Sequence, residues 1–144
     1  MQIADILQHK GSHVVTILPS DTIANAARRL TENHIGALIV RDRWGHVVGM
    51  LSERDIVWAL ARHGAETLGY GVADLMISNV ITCRPDDEVR DVMALITTRR
   101  IRHVPVMDGD RLAGIVSIGD VLKSRLDEKE HEVNVLRDIN LVRG

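Results

Sequence analysis

Two seven-residue stretches match each other and contain residue types that could hold a ligand. They span Gly49–Asp55 and Gly114–Asp120, with glycine, serine and aspartate at the same places in both. In each copy an apolar run predicts a buried strand, and the serine stands where a helix N-cap is expected, three positions before the aspartate. A helix N-terminus favours an anion, and a carboxylate can accept hydrogen bonds from two hydroxyls. Phosphate and a sugar diol, the parts of a nucleotide, would satisfy both groups.

A simpler interpretation of the same residues is helix capping without any ligand. Serine followed three positions later by an acidic residue is a common capping box. For one isolated copy, capping alone would be the better explanation. The second copy shifts the balance towards a binding function.

The elements that must position these motifs are themselves duplicated. Thr16 and Pro19 reappear as Thr82 and Pro85, a shift of 66 residues (82 minus 16), and the shift falls to 65 at the glycine motifs because one turn is shorter. Each copy is predicted to run β-α-β-β-α, which gives an α/β (α+β) fold of two pseudo-symmetric repeats packed sheet to sheet. We expect repeat 1 over residues 1–66, repeat 2 over residues 67–127 and a helical tail over residues 128–144.

The local signals place these elements along the chain. Strands are expected at Val14–Ile17 and Val80–Cys83, and later strands at Ile35–Val40 and Ile101–Val106. The intervening helices are expected to start from caps at Ser20 or Asp21, and at Asp86 or Asp87. A linker with three glycines, His63–Gly71, joins the repeats.

The composition is that of an ordinary globular protein, with 45% hydrophobic and 26% charged residues. A net charge of −2 and only three aromatic residues argue against nucleic-acid binding, so a bound base is expected to lie between aliphatic side chains. The single cysteine, Cys83, favours a reducing compartment, and we expect a cytoplasmic protein without a membrane span or a signal peptide. His9 and His13 lack further ligands at zinc spacing, so no metal site is expected.

The end of the chain carries one more apolar stripe, formed by Val133, Leu136 and Ile139. Two interpretations stay open for it. The stripe could contact a second subunit, or it could pack back on its own domain.

The chain resembles a tandem pair of CBS (cystathionine β-synthase) domains, the Bateman module, of the stand-alone bacterial type. The resemblance covers Ile3 to about Leu126. It depends on the doubled Thr-x-x-Pro strand, the strand Arg102–Val106 with its Arg-His-x-Pro-Val sequence, and the doubled Gly-x-x-Ser-x-x-Asp motif.

This resemblance implies a regulatory module, without catalytic activity, that binds an adenine nucleotide. AMP is the expected ligand, ahead of ADP, ATP and NAD(H), and S-adenosyl compounds also occur in the family. The family further implies a homodimer, a conformational response to energy or redox state, and a separate protein that the module regulates. The second hypothesis is a structural dimerisation module that binds no ligand. The third is an enzyme, although no nucleophile with a paired base is present.

In the family, each nucleotide cleft takes first-strand and second-strand residues from one repeat and the Ser-x-x-Asp from the other. By that resemblance, one cleft would hold Thr16, Asp21, Ile35, Gly36 and Ala37 with Ser117, Gly119 and Asp120. The other would hold Thr82, Ile101, Arg102 and His103 with Ser52, Arg54 and Asp55.

The residues themselves make these two sets unequal. The Asp55 set contains Arg54, Arg102 and His103, and guanidinium groups form strong, directional hydrogen bonds to phosphate. The Asp120 set has glycines at the corresponding places. We therefore expect the Asp55 set to bind a phosphate-bearing nucleotide more tightly, unless Lys10 or a partner chain supplies positive charge to the other.

Overall fold

The structure, a computed structural model, describes residues 1–143, and the side chains of residues 1–137. The chain forms two compact units. One, called here the Asp55 unit, comprises His13–Ile81. The other, called the Asp120 unit, combines Met1–Ser12 with the chain from Thr82 onward. The predicted α/β class is confirmed, since each unit has an antiparallel strand pair with helices.

The Asp55 unit is built around a three-stranded sheet in the order β1-β2-β3. Strand β1 runs parallel to β2, and β3 returns antiparallel to it, so that Ala37 at the start of β2 lies opposite Ser52 at the end of β3. Its elements are β1 (Thr16–Ile17), α2 (Ile23–Asn33), β2 (Ala37–Arg41), β3 (Val47–Ser52), α3 (Glu53–His63), a 3-10 helix (Gly64–Gly69) and α4 (Val72–Leu75).

The apolar faces of these elements meet in one core. Ile23 of α2, Leu38 of β2 and Leu51 of β3 are completely buried, and Ile56 of α3 packs with them. Because burial of apolar surface is the main favourable term in folding, this core holds the end of β3 and the start of α3 in place. The Ser52–Asp55 segment is therefore carried by rigid elements.

The Asp120 unit repeats this arrangement with a two-stranded sheet, in which His103 lies opposite Ser117. Val104, Val116 and Val121 are completely buried, together with Ile3 from the N-terminal helix. The elements, in chain order, are α1 (Ile3–Lys10), α5 (Val89–Arg99), β4 (His103–Asp108), β5 (Arg111–Ser117) and α6 (Ile118–Arg143).

The glycine of each motif allows a neighbouring segment of the same unit to lie close to the strand that contains the glycine. A Cβ on Gly49 would lie 2.6 Å from Met76 Sδ and 3.0 Å from the Ile77 carbonyl oxygen. A Cβ on Gly114 would lie 2.8 Å from Leu7 Cδ2. The glycines are thus explained by packing, because any side chain at these positions would displace a neighbour.

Several expected boundaries were wrong. The strand expected at Val80–Cys83 is reduced to one bridge between Cys83 and Val106, because the Arg84 amide donates to Asp87 Oδ2 (2.8 Å) and the chain turns there. Thr82 is thus outside any strand. The N-cap positions lie one residue later than expected, at Thr22 and Glu88. The Thr22 side chain accepts a hydrogen bond from the Asn25 amide, whereas the Glu88 side chain makes no capping bond.

The linker expected at His63–Gly71 is also more ordered than its glycines indicated. Most of it forms the 3-10 helix. Thr67 is completely buried there and donates a hydrogen bond from Oγ1 to the Ala59 carbonyl oxygen, 3.1 Å away. This polar contact ties the segment to α3.

Candidate functional site

The Ser52–Asp55 segment forms a complete capping box at the start of α3. The Asp55 amide donates to Ser52 Oγ (3.2 Å), and the Ser52 amide donates back to Asp55 Oδ2 (2.9 Å). The predicted N-cap is therefore confirmed. The capping bond uses Oδ2, so this role does not occupy Oδ1.

The second copy has the same geometry at the start of α6. The Asp120 amide donates to Ser117 Oγ (3.2 Å), and the Ser117 amide donates to Asp120 Oδ2 (2.8 Å). Two identical boxes show that capping, the simpler interpretation, is real in both repeats. Each box also holds a carboxylate at the positive end of a helix of eleven residues or more.

The start of the preceding strand lies directly beside each box. In the Asp55 unit, the Glu53 amide donates to the Gly36 carbonyl oxygen (2.9 Å), and Ala37 pairs with Ser52. In the Asp120 unit, the Ile118 amide donates to the Arg102 carbonyl oxygen (2.8 Å). The structure thus brings the second-strand residues of each repeat next to the Ser-x-x-Asp of the same repeat.

The other predicted site residues occupy varied positions. Thr16 pairs with Ile39 in the sheet, while Asp21 accepts a hydrogen bond from Asn25 Nδ2 (3.2 Å) and lies 3.9 Å from the Arg29 guanidinium. Half-buried residues are Ile35, Ile101 and His103, and exposed residues are Arg54, Thr82, Arg102 and Gly119. The assignment of all these residues to two clefts stays a prediction.

Lys10 distinguishes the Asp120 box from the Asp55 box. Its ammonium group donates to Asp120 Oδ2 (2.7 Å) and to the Ile115 carbonyl oxygen (3.0 Å). Burial pushes the pKa of Asp120 up, but the hydrogen bonds from Lys10 and Ser117 and the Lys10 charge outweigh it, so the pKa lies below its ordinary value of 3.8. Among the described residues, Asp55 has no such ion pair.

We expect Lys10→Met to raise the pKa of Asp120. A carboxyl group whose pKa is lowered by folding stabilises the protein above its unfolded-state pKa, and this contribution is lost as the pH falls through the folded-state pKa. Without Lys10 the folded-state and unfolded-state pKa values of Asp120 move closer, so Asp120 contributes less stability above about pH 4 and less stability is lost on acidification. A carboxyl-carbon NMR titration of Asp120 measures the change directly.

Lys123→Met is the matched control, because Lys123 lines the same cavity as Lys10 without bonding to Asp120. It should leave the titration of Asp120 unchanged. An Asp120 pKa that is equally low in wild type and in Lys10→Met would show that the Lys10 contact does not control this carboxylate.

An exposed tryptophan lies beside Asp55. An open cavity of about 510 Å³ is lined by Asp55, Trp58 and Arg62, among others. The Trp58 side chain is 61% exposed, and the Arg62 guanidinium lies 5.8 Å from its ring centroid. A bound base was expected to lie between aliphatic side chains, so this ring was not predicted. Its signal in the sequence is the spacing of Trp58 and Arg62, three and seven residues after Asp55 on one helix.

The corresponding cavity of the Asp120 unit has a different lining. It measures about 410 Å³ and contains Lys10 and Asp120. Where the Asp55 unit has Trp58 and Arg62, this unit has Lys123 and Asp127. The two boxes share their capping geometry, but the chemistry around them differs.

The single cysteine of the chain, Cys83, is buried. Burial raises the pKa of the Cys83 thiol to about 12, with a smaller effect from the Asp87 charge, so the reactive thiolate is scarce.

The part of the chain that the structure describes contains no cluster of three or more metal-ligating side chains. No helix among the described residues is long and apolar enough to cross a membrane.

Comparison with known proteins agrees with this geometry. The CBS domain model matches residues 3–62 and 72–127. The mitochondrial CBS domain-containing protein CBSX3 of Arabidopsis thaliana is 30% identical over 142 residues, which cover 93% of this chain and 69% of that protein.

Solved structures show the same fold. The crystal structure of the CBS-domain containing protein ATU1752 from Agrobacterium tumefaciens is 44% identical and has a TM-score of 0.84, covering 86% of this chain and 92% of its own. The CBS domain pair of protein MJ0100, solved in complex with 5′-methylthioadenosine and S-adenosyl-L-methionine, is 30% identical with a TM-score of 0.77 and covers 90% and 98% of the two chains. With two family matches spanning most of its length, this chain belongs to the CBS domain family.

Proposed function

We propose that this protein is a regulatory module, without catalytic activity, that binds an adenosine-containing ligand, with AMP as the first candidate. The observation that carries the proposal is the pair of identical capping boxes, each of which presents a carboxylate at a helix N-terminus. The complex of the MJ0100 domain pair with two adenosine compounds supports the choice of ligand class.

The chemistry of the boxes suits a nucleoside. Asp55 and Asp120 use Oδ2 for capping, and a ribose diol could donate to Oδ1 of each. Guanidinium groups, of which Arg54 is the nearest to Asp55 in sequence, would bind phosphate. We extend the proposal to the full residue sets given above, including Thr16, Thr82 and His103.

Ligand binding can regulate a second protein only if it changes the equilibrium between two conformations of this one. A ligand shifts such an equilibrium by its differential affinity for the two states, so a second protein must recognise one of them. We propose that this protein acts as a homodimer in the cytoplasm and responds to energy or redox state through AMP, ADP, ATP or NAD(H).

The direct experiment is a calorimetric titration of the purified chain with AMP, ATP, NAD, S-adenosylmethionine and 5′-methylthioadenosine. At one hundred times Kd, a ligand stabilises the folded state by about 2.7 kcal/mol. For a chain of this length, that should raise Tm by roughly 5–10 °C. Ribose 5-phosphate, which lacks the base, and GMP, which carries a different base, are the controls.

Each outcome separates the proposal from its alternatives. A sensor is supported if an adenosine compound gives a binding heat in the titration and raises Tm, and if the same compound is recovered chemically unchanged after incubation with the protein. No response to any of the five compounds favours the structural dimerisation module. Conversion of a nucleotide by the purified protein, followed by chromatography, would favour an enzyme.

A further inference from the structure

The apolar stripe near the end of α6 is not covered by its own unit. Val133 is 47% exposed and Leu136 is 61% exposed, so these two side chains do not pack back on their domain, as one interpretation of the sequence allowed. The side chain of Ile139 lies outside the described residues. Nothing among the described residues shows what covers this face. The two cavities beside the capping boxes are better defined.

The cavity beside Asp55 carries a net positive charge. Its ionisable lining consists of the Arg54 and Arg62 guanidinium groups, the Asp55 carboxylate and His63. With His63 neutral, two positive charges against one negative charge leave a net charge of +1. Among the residues that the structure describes, neither guanidinium group forms an ion pair or a hydrogen bond. Both guanidinium groups are therefore available to an anion.

The cavity beside Asp120 has the opposite balance. Three carboxylates and two ammonium side chains line it, so its net charge is −1 with His9 neutral; they belong to Asp5, Asp120, Asp127, Lys10 and Lys123. Met1 also lines this cavity. Its N-terminal ammonium adds no uncompensated positive charge, because carboxylate oxygens of Glu128 and Glu88 lie 3.4 Å and 3.5 Å away.

The negative charge of this second cavity comes from two carboxylates. Lys10 is already bonded to Asp120, at 2.7 Å. Asp5 caps α1 through Oδ2, and Asp127 is exposed. Neither of these carboxylates forms an ion pair with another described residue, and Lys123 supplies one positive charge against the two. A phosphate group would therefore be repelled here, whereas a cation would be attracted.

We propose that the two sites divide adenosine compounds by charge: the Asp55 site takes a phosphate-bearing nucleotide, and the Asp120 site takes an adenosine whose 5′ substituent is a sulfonium cation. This inference rests on the proposed function, because it requires each capping box to bind an adenosine. A phosphate monoester carries about −1.5 to −2 at pH 7 and matches the guanidinium groups. The sulfonium and ammonium groups of S-adenosylmethionine match Asp5 and Asp127, and Lys123 can bind its carboxylate.

A matched pair of ligands tests the charge preference. S-adenosylmethionine and S-adenosylhomocysteine differ by one methyl group and by the positive charge on sulfur. In calorimetric titrations with AMP present at saturation, we expect S-adenosylmethionine to bind about twofold to fivefold more tightly, the range for exposed charge pairs. The ratio should approach one at about 1 M salt, where such charges are screened. The Kd of S-adenosylmethionine should be the same without AMP, since AMP occupies the other site.

A charge reversal in the cavity tests its origin. Asp127→Lys should abolish the preference for S-adenosylmethionine over S-adenosylhomocysteine, because it replaces one of the two carboxylates by an ammonium group. Glu130→Lys is the matched control. Glu130 is an exposed carboxylate on the same helix that does not line the cavity, so the preference should survive its replacement.

The outcomes separate this inference from the proposed function. Displacement of S-adenosylmethionine by AMP would overturn the division of ligands, and so would equal affinity of the wild-type chain for the two sulfur compounds. Both results still require an adenosine compound to bind, so the proposed function would stand. An equal loss of preference in Asp127→Lys and Glu130→Lys would likewise show that the cavity does not select the ligand. If no adenosine compound bound, both proposals would be wrong.

Discussion

Asp55→Asn is expected to weaken AMP binding by about 10-fold to 100-fold, and by more than Asp120→Asn does. Hydrogen bonds to a charged group contribute about 1.5–3 kcal/mol, and each 1.4 kcal/mol is a factor of ten in Kd. Asparagine preserves an acceptor for the Ser52 amide, so the capping box survives while the charge is lost. Calorimetric titration of both variants with AMP measures the two losses.

The order of the two losses follows from Lys10. The sequence-based expectation named this residue as the group that could supply positive charge to the weaker set, and the structure places its Nζ 2.7 Å from Asp120. Because that ammonium is already paired with the Asp120 carboxylate, the pair carries no net positive charge that would attract a phosphate group. Trp58 and Arg62, in contrast, line the cavity at Asp55.

Glu53→Gln is the matched control for Asp55→Asn. Glu53 is an exposed acidic residue in the same helical turn, and its replacement changes the net charge equally. It should leave the affinity for AMP almost unchanged. Equal losses at Asp55 and Asp120, or a larger loss at Asp120, would contradict the proposed order.

Leu51→Ala should lower the free energy of unfolding of the Asp55 unit by about 2–5 kcal/mol, the range found for leucine truncation in cores. Leu51 is completely buried next to Leu38 and Ile56, and it directly precedes the Ser52 cap. Its loss leaves a cavity beneath the start of α3. Urea denaturation followed by circular dichroism measures the loss.

Leu18→Ala removes the same atoms from a leucine of the same unit that is 45% exposed. We expect this control to change stability by no more than about 0.5 kcal/mol. If both variants unfolded at the same urea concentration, the core described for the Asp55 unit would be wrong.

Local signals predicted most of the fold. The repeated motifs, the buried strands around Val104 and Leu38 and the serine caps all depend on short-range patterns that a sequence displays directly. Errors occurred where a neighbouring polar group competes for the backbone, as Asp87 does after Cys83. Side chains of aspartate and threonine can cap or turn the chain at adjacent positions, so pattern alone does not choose among them.

What the sequence determined by itself is the duplication, with a capped helix and its aspartate in each half. What only the tertiary structure decided is which sheet receives the N-terminal helix. That helix begins the first repeat in sequence, yet it packs with the strands of the second, bringing Leu7 against Gly114 and Lys10 against Asp120. An isolated helix of eight residues is marginally stable, so its position depends on long-range packing rather than on its own pattern.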